Sequence, residues 1–222
     1  MKALRKIKEA PLTYRDAMIL IGGLSSPSKM PGYSWSISAF ECQTGEKLHA
    51  IKGSVCHGCY ARKGTYMYPV VKNALNRRLV ALDNPRFVEA FVLVLKLTYS
   101  RMRKVENRFR WHDSGDLQNV NHLRMICEIA RQCPELVFWL PTKEPQYVAE
   151  YMKVSKVPDN LTIRVSNPMI GVKFKKRPMG LPFSTVNVEE GMFRCVAPSQ
   201  GGKCLDCRAC WDKTVDTNYH KH

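Results

Sequence analysis

Seven of the nine cysteines in this 222-residue chain fall into two sets with metal-like spacing. Cys42, Cys56 and Cys59 form C-x13-C-x2-C, and Cys195, Cys204, Cys207 and Cys210 form C-x8-C-x2-C-x2-C. The second set can wrap one tetrahedral ion or one cubane cluster, and Gly201 and Gly202 let its loop turn tightly. Zinc favours two separated C-x2-C knuckles. A C-x2-C-x2-C run is instead a bacterial ferredoxin pattern whose fourth ligand lies elsewhere in the chain, a place Cys195 can fill. Iron–sulfur is favoured there, with zinc as the alternative.

The first set has three thiols only. A [4Fe–4S] cluster on three cysteines keeps one iron open, and an open position separates catalytic from structural metal sites. His49 as a fourth ligand would instead close a Cys3His zinc site, and a third arrangement pools both sets around one metal. Cys127 and Cys133 read as small buried hydrophobes.

Lys and Arg outnumber Asp and Glu by 35 to 19, a formal charge of +16. That excess favours polyanionic partners, nucleic acid above all. Local basic runs lie at 101–104 and 173–177. The basic opening residues lack the apolar core of a secretion signal, and no apolar run has the length of a membrane span. The expectation is a cytoplasmic protein without a membrane partner, where reduced cysteines serve metals or catalysis in place of disulfides.

The elements that must hold these residues alternate. Strand-like runs are SWSISA (34–39), RFRWHD (108–113), LVFWLPT (136–142), LTIRVS (161–166), STVN (184–187) and FRCVA (193–197). Helical patterns begin at Pro69, after Asn84–Pro85, near Asn119 and near Glu144. Strands alternating with helices predict parallel βαβ units. Six strands are fewer than a closed eight-fold barrel needs, so the expected fold is an α/β incomplete (β/α) barrel of about six parallel strands, with an open doubly wound sheet as second choice. The expected division is a barrel over 1–192 and a cysteine-rich extension over 193–222. The terminal Tyr-His-Lys-His reads as a disordered tail. Each strand is followed by polar or thiol groups: Cys42, then His112 to Asp116, Thr142–Lys143–Glu144, Ser166–Asn167, Asn187 and Cys195. Such groups at the carboxyl ends of parallel strands gather on one rim, where these folds place active sites.

The order of Cys56-His57-Gly58-Cys59-Tyr60-Ala61, RWHDSGDL (110–117), FWLPTKE (138–144) and CLDCRACW (204–211) resembles the bacteriophage gene 88 protein family, over roughly 34–212. More distantly it is similar to radical S-adenosylmethionine enzymes. The resemblance implies a [4Fe–4S] cluster on Cys42, Cys56 and Cys59 whose open iron takes the amino and carboxylate groups of S-adenosylmethionine. It implies that Asp113, Ser114, Gly115 and Asp116 hold the cofactor's amino group, and that Ser166 and Asn167 suit its ribose. The four C-terminal cysteines then form an auxiliary site, and a phage origin would place the protein in the host cytoplasm. The expected function is a radical enzyme acting on a nucleic acid or nucleotide-like substrate. The competing class is a non-catalytic nucleic-acid-binding phage protein with structural iron–sulfur or zinc sites. An electron-transfer protein fits two clusters but leaves the charge unexplained.

Overall fold

The longer strands are rich in β-branched and aromatic residues and buried along nearly their whole length, as suits a sheet covered on both faces. The computed structural model describes residues 10–101, 106–188 and 191–221. Residues 1–9 and most of the basic run at 101–104 lie outside them. The strands are β1 (Tyr33–Trp35), β2 (Arg108–Trp111), β3 (Val137–Thr142), β4 (Leu161–Ser166), β5 (Phe183–Val186), β6 (Phe193–Arg194) and β7 (Thr217–Tyr219). They form one parallel sheet in the order β1-β2-β3-β4-β5-β7-β6. The sheet does not close, and the fold is an incomplete (β/α) barrel with one strand more than the expected six.

The helices are α1 (Tyr14–Leu20), α2 (Gln43–His49), α3 (Pro69–Ala81), α4 (Phe87–Arg101), α5 (Val120–Gln132) and α6 (Pro145–Met152). Four of them start where Pro or Asn cues placed them. Pro69 and Pro145 occupy the first turns of α3 and α6, and the Asn119 side chain accepts the His122 N–H at 2.9 Å to cap α5. On one side of the sheet α4 and α5 bury Phe87, Phe91, Leu95, Leu123, Ile126 and Cys127 against Trp35, Phe109, Trp111 and Phe138. Ring centroids there stand 4.8 Å apart for Phe91–Trp111 and 5.6 Å for Trp35–Phe87. Cys127 and Cys133 are fully buried in this core, as expected of apolar thiols.

The other side of the sheet, the inside of the barrel, is filled differently. Arg110, Trp139 and Thr162 lie in register across β2, β3 and β4, with the Arg110 guanidinium 4.5 Å above the Trp139 ring. The chain from 204 to 211 packs onto this layer. Trp211 meets Trp139 edge-on at 5.2 Å, donates to the Phe109 carbonyl at 3.0 Å and accepts from Thr162 at 2.8 Å. Arg164 of β4, wholly buried, donates to the carbonyls of Phe183, Val215, Ala209, Cys210 and Asp212 at 2.7–3.3 Å. The cysteine-rich loop is therefore the filling of the barrel, and β6 and β7 beside it belong to the same sheet. The tail expected at 219–222 is ordered through Lys221, and Thr217–Tyr219 is a strand paired on both sides.

Candidate functional site

β1 is shorter than its run suggests because the chain leaves the sheet after Trp35 to build the rim. Ser38 accepts the Phe40 N–H at 3.2 Å and starts a single 3-10 turn, after which Cys42 opens α2. Cys42 offers α2 no side-chain cap. Glu144, wholly buried just past β3, supplies the anchor instead: its oxygens accept from Thr44 N at 2.8 Å and Thr44 Oγ1 at 2.7 Å. A carboxylate at a helix N-terminus completes orphan N–H groups and complements the dipole.

The loop carrying Cys56 and Cys59 is pinned at two ends. Ser54 donates to Leu48 O at 2.6 Å and accepts from His57 N at 3.0 Å. Its neighbours pair with the β4–β5 connection, Val55 N donating to Pro168 O at 2.8 Å and Ile170 N to Gly53 O at 3.0 Å. The loop thus lies across the rim from β1 to β4. His49 turns Nδ1 to the Cys56 carbonyl at 3.1 Å, and His57 turns Nδ1 to the His49 carbonyl at 3.1 Å.

Cys42, Cys56 and Cys59 interact electrostatically with one another, and Asp116 and Lys143 reach the same place. Burial pushes the Cys42 thiol up to about 12, with Asp116, Cys56 and Cys59 adding to the rise and Lys143 opposing it. Burial also raises Cys56, against Lys143. Crowded, half-buried thiols hold their protons unless a cation takes their place, and a bound metal inverts that balance. Gly45, on α2, is the cradle. A Cβ there would stand 2.7 Å from Cys42 Cβ, 3.4 Å from its sulfur and 3.7 Å from the Cys56 sulfur. Replacing Gly45 by Ala is expected to leave the barrel folded and to displace Cys42 from Cys56. Circular dichroism and the alkylation rates of Cys42 and Cys56 in the purified variant check this.

The loop after β2 is stapled to the rim. Ser114 donates to Ile37 O at 2.7 Å, and Gly115, at φ +75°, packs so closely that no side chain fits. Asp116 accepts from Thr142 Oγ1 at 2.6 Å, Lys143 N at 2.7 Å and Leu117 N at 2.8 Å. Burial pushes its carboxyl up to about 6, with these hydrogen bonds opposing the rise. Asp113 faces the other way, accepting from Ser36 and from Tyr66 OH at 3.1 Å, while Tyr60 OH donates to its carbonyl. Ser114 and Asp116 are thus engaged in positioning the loop, and Asp113 shares its carboxylate with Ser36 and Tyr66. Ser166 meets Ser184 Oγ at 3.2 Å, and Asn167 Oδ1 accepts from Met169 N at 3.0 Å. Both flank the segment that pins the Cys56 loop. His112, at φ +55°, is buried with neither ring nitrogen partnered, and burial, His122 and Arg110 together lower its pKa well below the usual histidine range.

Cys195, Cys204, Cys207 and Cys210 line one recess with Trp211 and Tyr219. Cys195 N donates to Asn218 O at 2.9 Å, which fixes it to β7, and Gly201 and Gly202 turn the loop at φ +63° and +77°. Burial pushes Cys210 up to about 11, the Tyr219 hydroxyl 3.2 Å away opposing it. Burial raises Cys204 as well, with Cys195 and Cys207 adding to it. Between the two sets lies Arg110, which attracts Tyr60 and Asp113 on one side and Tyr219 and Cys210 on the other.

Among the described residues, no group of three or more His, Cys, Asp or Glu side chains is arranged to hold a metal ion. Also among them, no helix is long and apolar enough to cross a membrane. Sequence reading missed Glu144 as the anchor of α2 and Tyr66 as a partner of Asp113. It also missed Arg110 and Arg164, although a single arginine inside an apolar strand is a signal of buried hydrogen bonding.

No curated protein and no solved structure matches the chain. A family model described as Gene product 88 matches residues 23–213, from the turn before β1 through both cysteine sets. With the match spanning most of its length, the chain belongs to the Gene product 88 family.

Proposed function

We propose that this is an iron–sulfur protein of the radical S-adenosylmethionine type, acting on a nucleic acid or nucleotide-like substrate in the host cytoplasm. The observation that carries the reading is the gathering of Cys42, Cys56 and Cys59 beside Asp116 and Lys143, at the carboxyl ends of parallel strands. Soft thiols suit iron–sulfur or zinc above magnesium or calcium. Ligands of one zinc ion stand about 2.3 Å from it. Three such thiols are the donor set that a cluster with one open iron would take.

When bound, such a cluster would supply one electron for reductive cleavage of the S-adenosylmethionine sulfonium. The chain's own residues would do the positioning. Glu144 sets the pitch of α2 and so the direction of Cys42. Asp116 ties the loop after β2 to the end of β3 and sets where Lys143 begins. The Lys143 ammonium lies near the thiols, where it can hold a carboxylate or phosphate. Gly115 and Ser114 offer backbone groups for the cofactor's amino end, and Asp113 offers a carboxylate. Cys195, Cys204, Cys207 and Cys210 would hold an auxiliary cluster or a zinc ion that secures the loop filling the barrel.

The test is on protein purified without oxygen: iron, sulfide and zinc content, then electron paramagnetic resonance of the reduced sample with and without S-adenosylmethionine. A cubane signal that shifts with the cofactor, and is lost in Cys56→Ser, is the expected result. Zinc without sulfide would overturn the reading in favour of a non-catalytic nucleic-acid binder with structural metals.

A further inference from the structure

The segment that carries Cys56 and Cys59 has an unusual charge pattern. Between Glu46 and Asp83 there is no acidic residue, while Lys47, Lys52, Arg62, Lys63, Lys72, Arg77 and Arg78 are all basic. Lys47, Lys52, Lys63, Lys72 and Arg77 are exposed. Where an exposed helix or loop normally mixes both signs, one sign alone along such a length marks a surface for a polyanion.

The same surface exposes rings. Phe40 is 50% exposed, Tyr60 41% and Tyr68 59%, with Met67 beside them at 38%. The turns that carry them pack in succession, 39–41 on 60–62 and 60–62 on 64–67, and make one shelf. The Arg62 guanidinium lies 4.7 Å from the centre of the Phe40 ring, and Arg62 donates to Ala39 O at 3.3 Å and pairs with Glu46. Tyr60 meets Tyr66 edge-on at 5.8 Å, and both hydroxyls are fastened to Asp113. The chain then runs through Met67 and Tyr68 into α3, whose outer side presents Lys72, Asn73, Asn76 and Arg77. Tyr60 adjoins Cys59, so the shelf ends at the three-cysteine site.

We propose that this shelf binds single-stranded nucleic acid, stacking bases on Phe40, Tyr60 and Tyr68 and pairing its phosphates with Lys47, Lys63, Lys72 and Arg77. Stacking selects the single strand, because the faces of bases in a duplex are already covered. The lysines and arginine track the backbone without reading sequence. The strand is thereby led to the mouth of the site that holds Cys42, Cys56 and Cys59. Its role as the path of a substrate rests on the iron–sulfur reading above, whereas the binding itself does not.

The experiment is fluorescence anisotropy of the full chain with a labelled oligothymidylate of about 20 nucleotides and with a duplex of the same length, at two salt concentrations. The expected result is tighter binding of the single strand. Tyr68→Ala and Phe40→Ala should each weaken it about tenfold, since stacking of one base is worth roughly 1–3 kcal/mol. The double variant Lys63→Ala/Lys72→Ala should lower the salt slope for the single strand by about 1.4. The control is Lys153→Ala/Lys156→Ala, which removes equal charge at the opposite end of the strands. Equal affinity for duplex, unchanged binding in both ring variants, or an equal loss in the control each overturns the proposal. Repeating the titration on the wild-type chain purified without oxygen, beside its paramagnetic resonance with and without S-adenosylmethionine, separates the two readings. Single-strand binding that persists without any cofactor-responsive iron signal sinks the radical reading and leaves this one standing; a responsive signal without single-strand binding does the reverse.

Discussion

Replacing Arg164 by Met is expected to cost about 3–5 kcal/mol of stability, the range for removing one partner from a buried charged network. The loss arises from what it leaves behind. Five backbone carbonyls, four of them in the part-buried 209–215 segment, lose their donor. The desolvation cost of the guanidinium is recovered, so the figure stays below the sum of five lost hydrogen bonds. For a chain of this length the melting temperature should fall by about 10 °C. Calorimetry and urea unfolding check the size. Alkylation mapped by mass spectrometry checks the place: Cys204, Cys207 and Cys210 should become reactive in the metal-free variant while Cys127 stays protected. Arg164→Lys should rescue little, because an ammonium cannot spread over five acceptors as a planar fork does.

The second large effect is expected at Gly115. An Ala there places its Cβ 2.3 Å from Ile37 Cγ1 and 2.8 Å from Ile37 O, at a φ of +75°. The left-handed backbone costs about 1–2 kcal/mol for a residue with a Cβ, and crowding in a packed site costs about 1–3 kcal/mol more. Gly58 supplies the control, because it has the same φ of +75° and nothing within 4 Å of its added Cβ. Gly58→Ala should therefore show the backbone cost alone, and the difference in unfolding free energy between the two variants isolates the contact. Gly115→Ala should also displace Ser114 and Asp116, and under the function proposed above calorimetric titration with S-adenosylmethionine would show weakened binding. Unchanged stability in Gly115→Ala would mean that the loop after β2 is not held against Ile37.

Much of this architecture was legible in the residues. The barrel followed from strands and helices in alternation, the starts of α3, α4 and α5 from nearby Pro or Asn, and α6 from the spacing of Tyr147, Val148 and Tyr151. The nearness of Cys42 to Cys56 and Cys59 was suggested by their spacing, and the place of the loop at 112–116 by its position after a strand. Other parts carried no local signal. α2 has an interior glycine, no buried residue and no side-chain cap, and it exists because Glu144 holds Thr44 from a hundred residues away. β7 is three residues long, and its strand identity comes from pairing with β5 and β6. The layer inside the barrel was equally hidden. Arg110 and Arg164 read as charges interrupting strands, and only the fold shows that the faces they occupy are covered by the chain's own cysteine loop.

The insertion of β7 between β5 and β6 has a consequence for how the protein is made. β6 touches no other strand of the sheet, so while it leaves the ribosome it has nothing to pair with. The nascent chain must carry β6 unpaired until Thr217–Tyr219 has been translated. Only then can the sheet extend past β5 and the Cys195 N–H meet its acceptor on Asn218. Completion of this sheet edge is therefore a late event, timed by synthesis and not by the stability of the strands already formed.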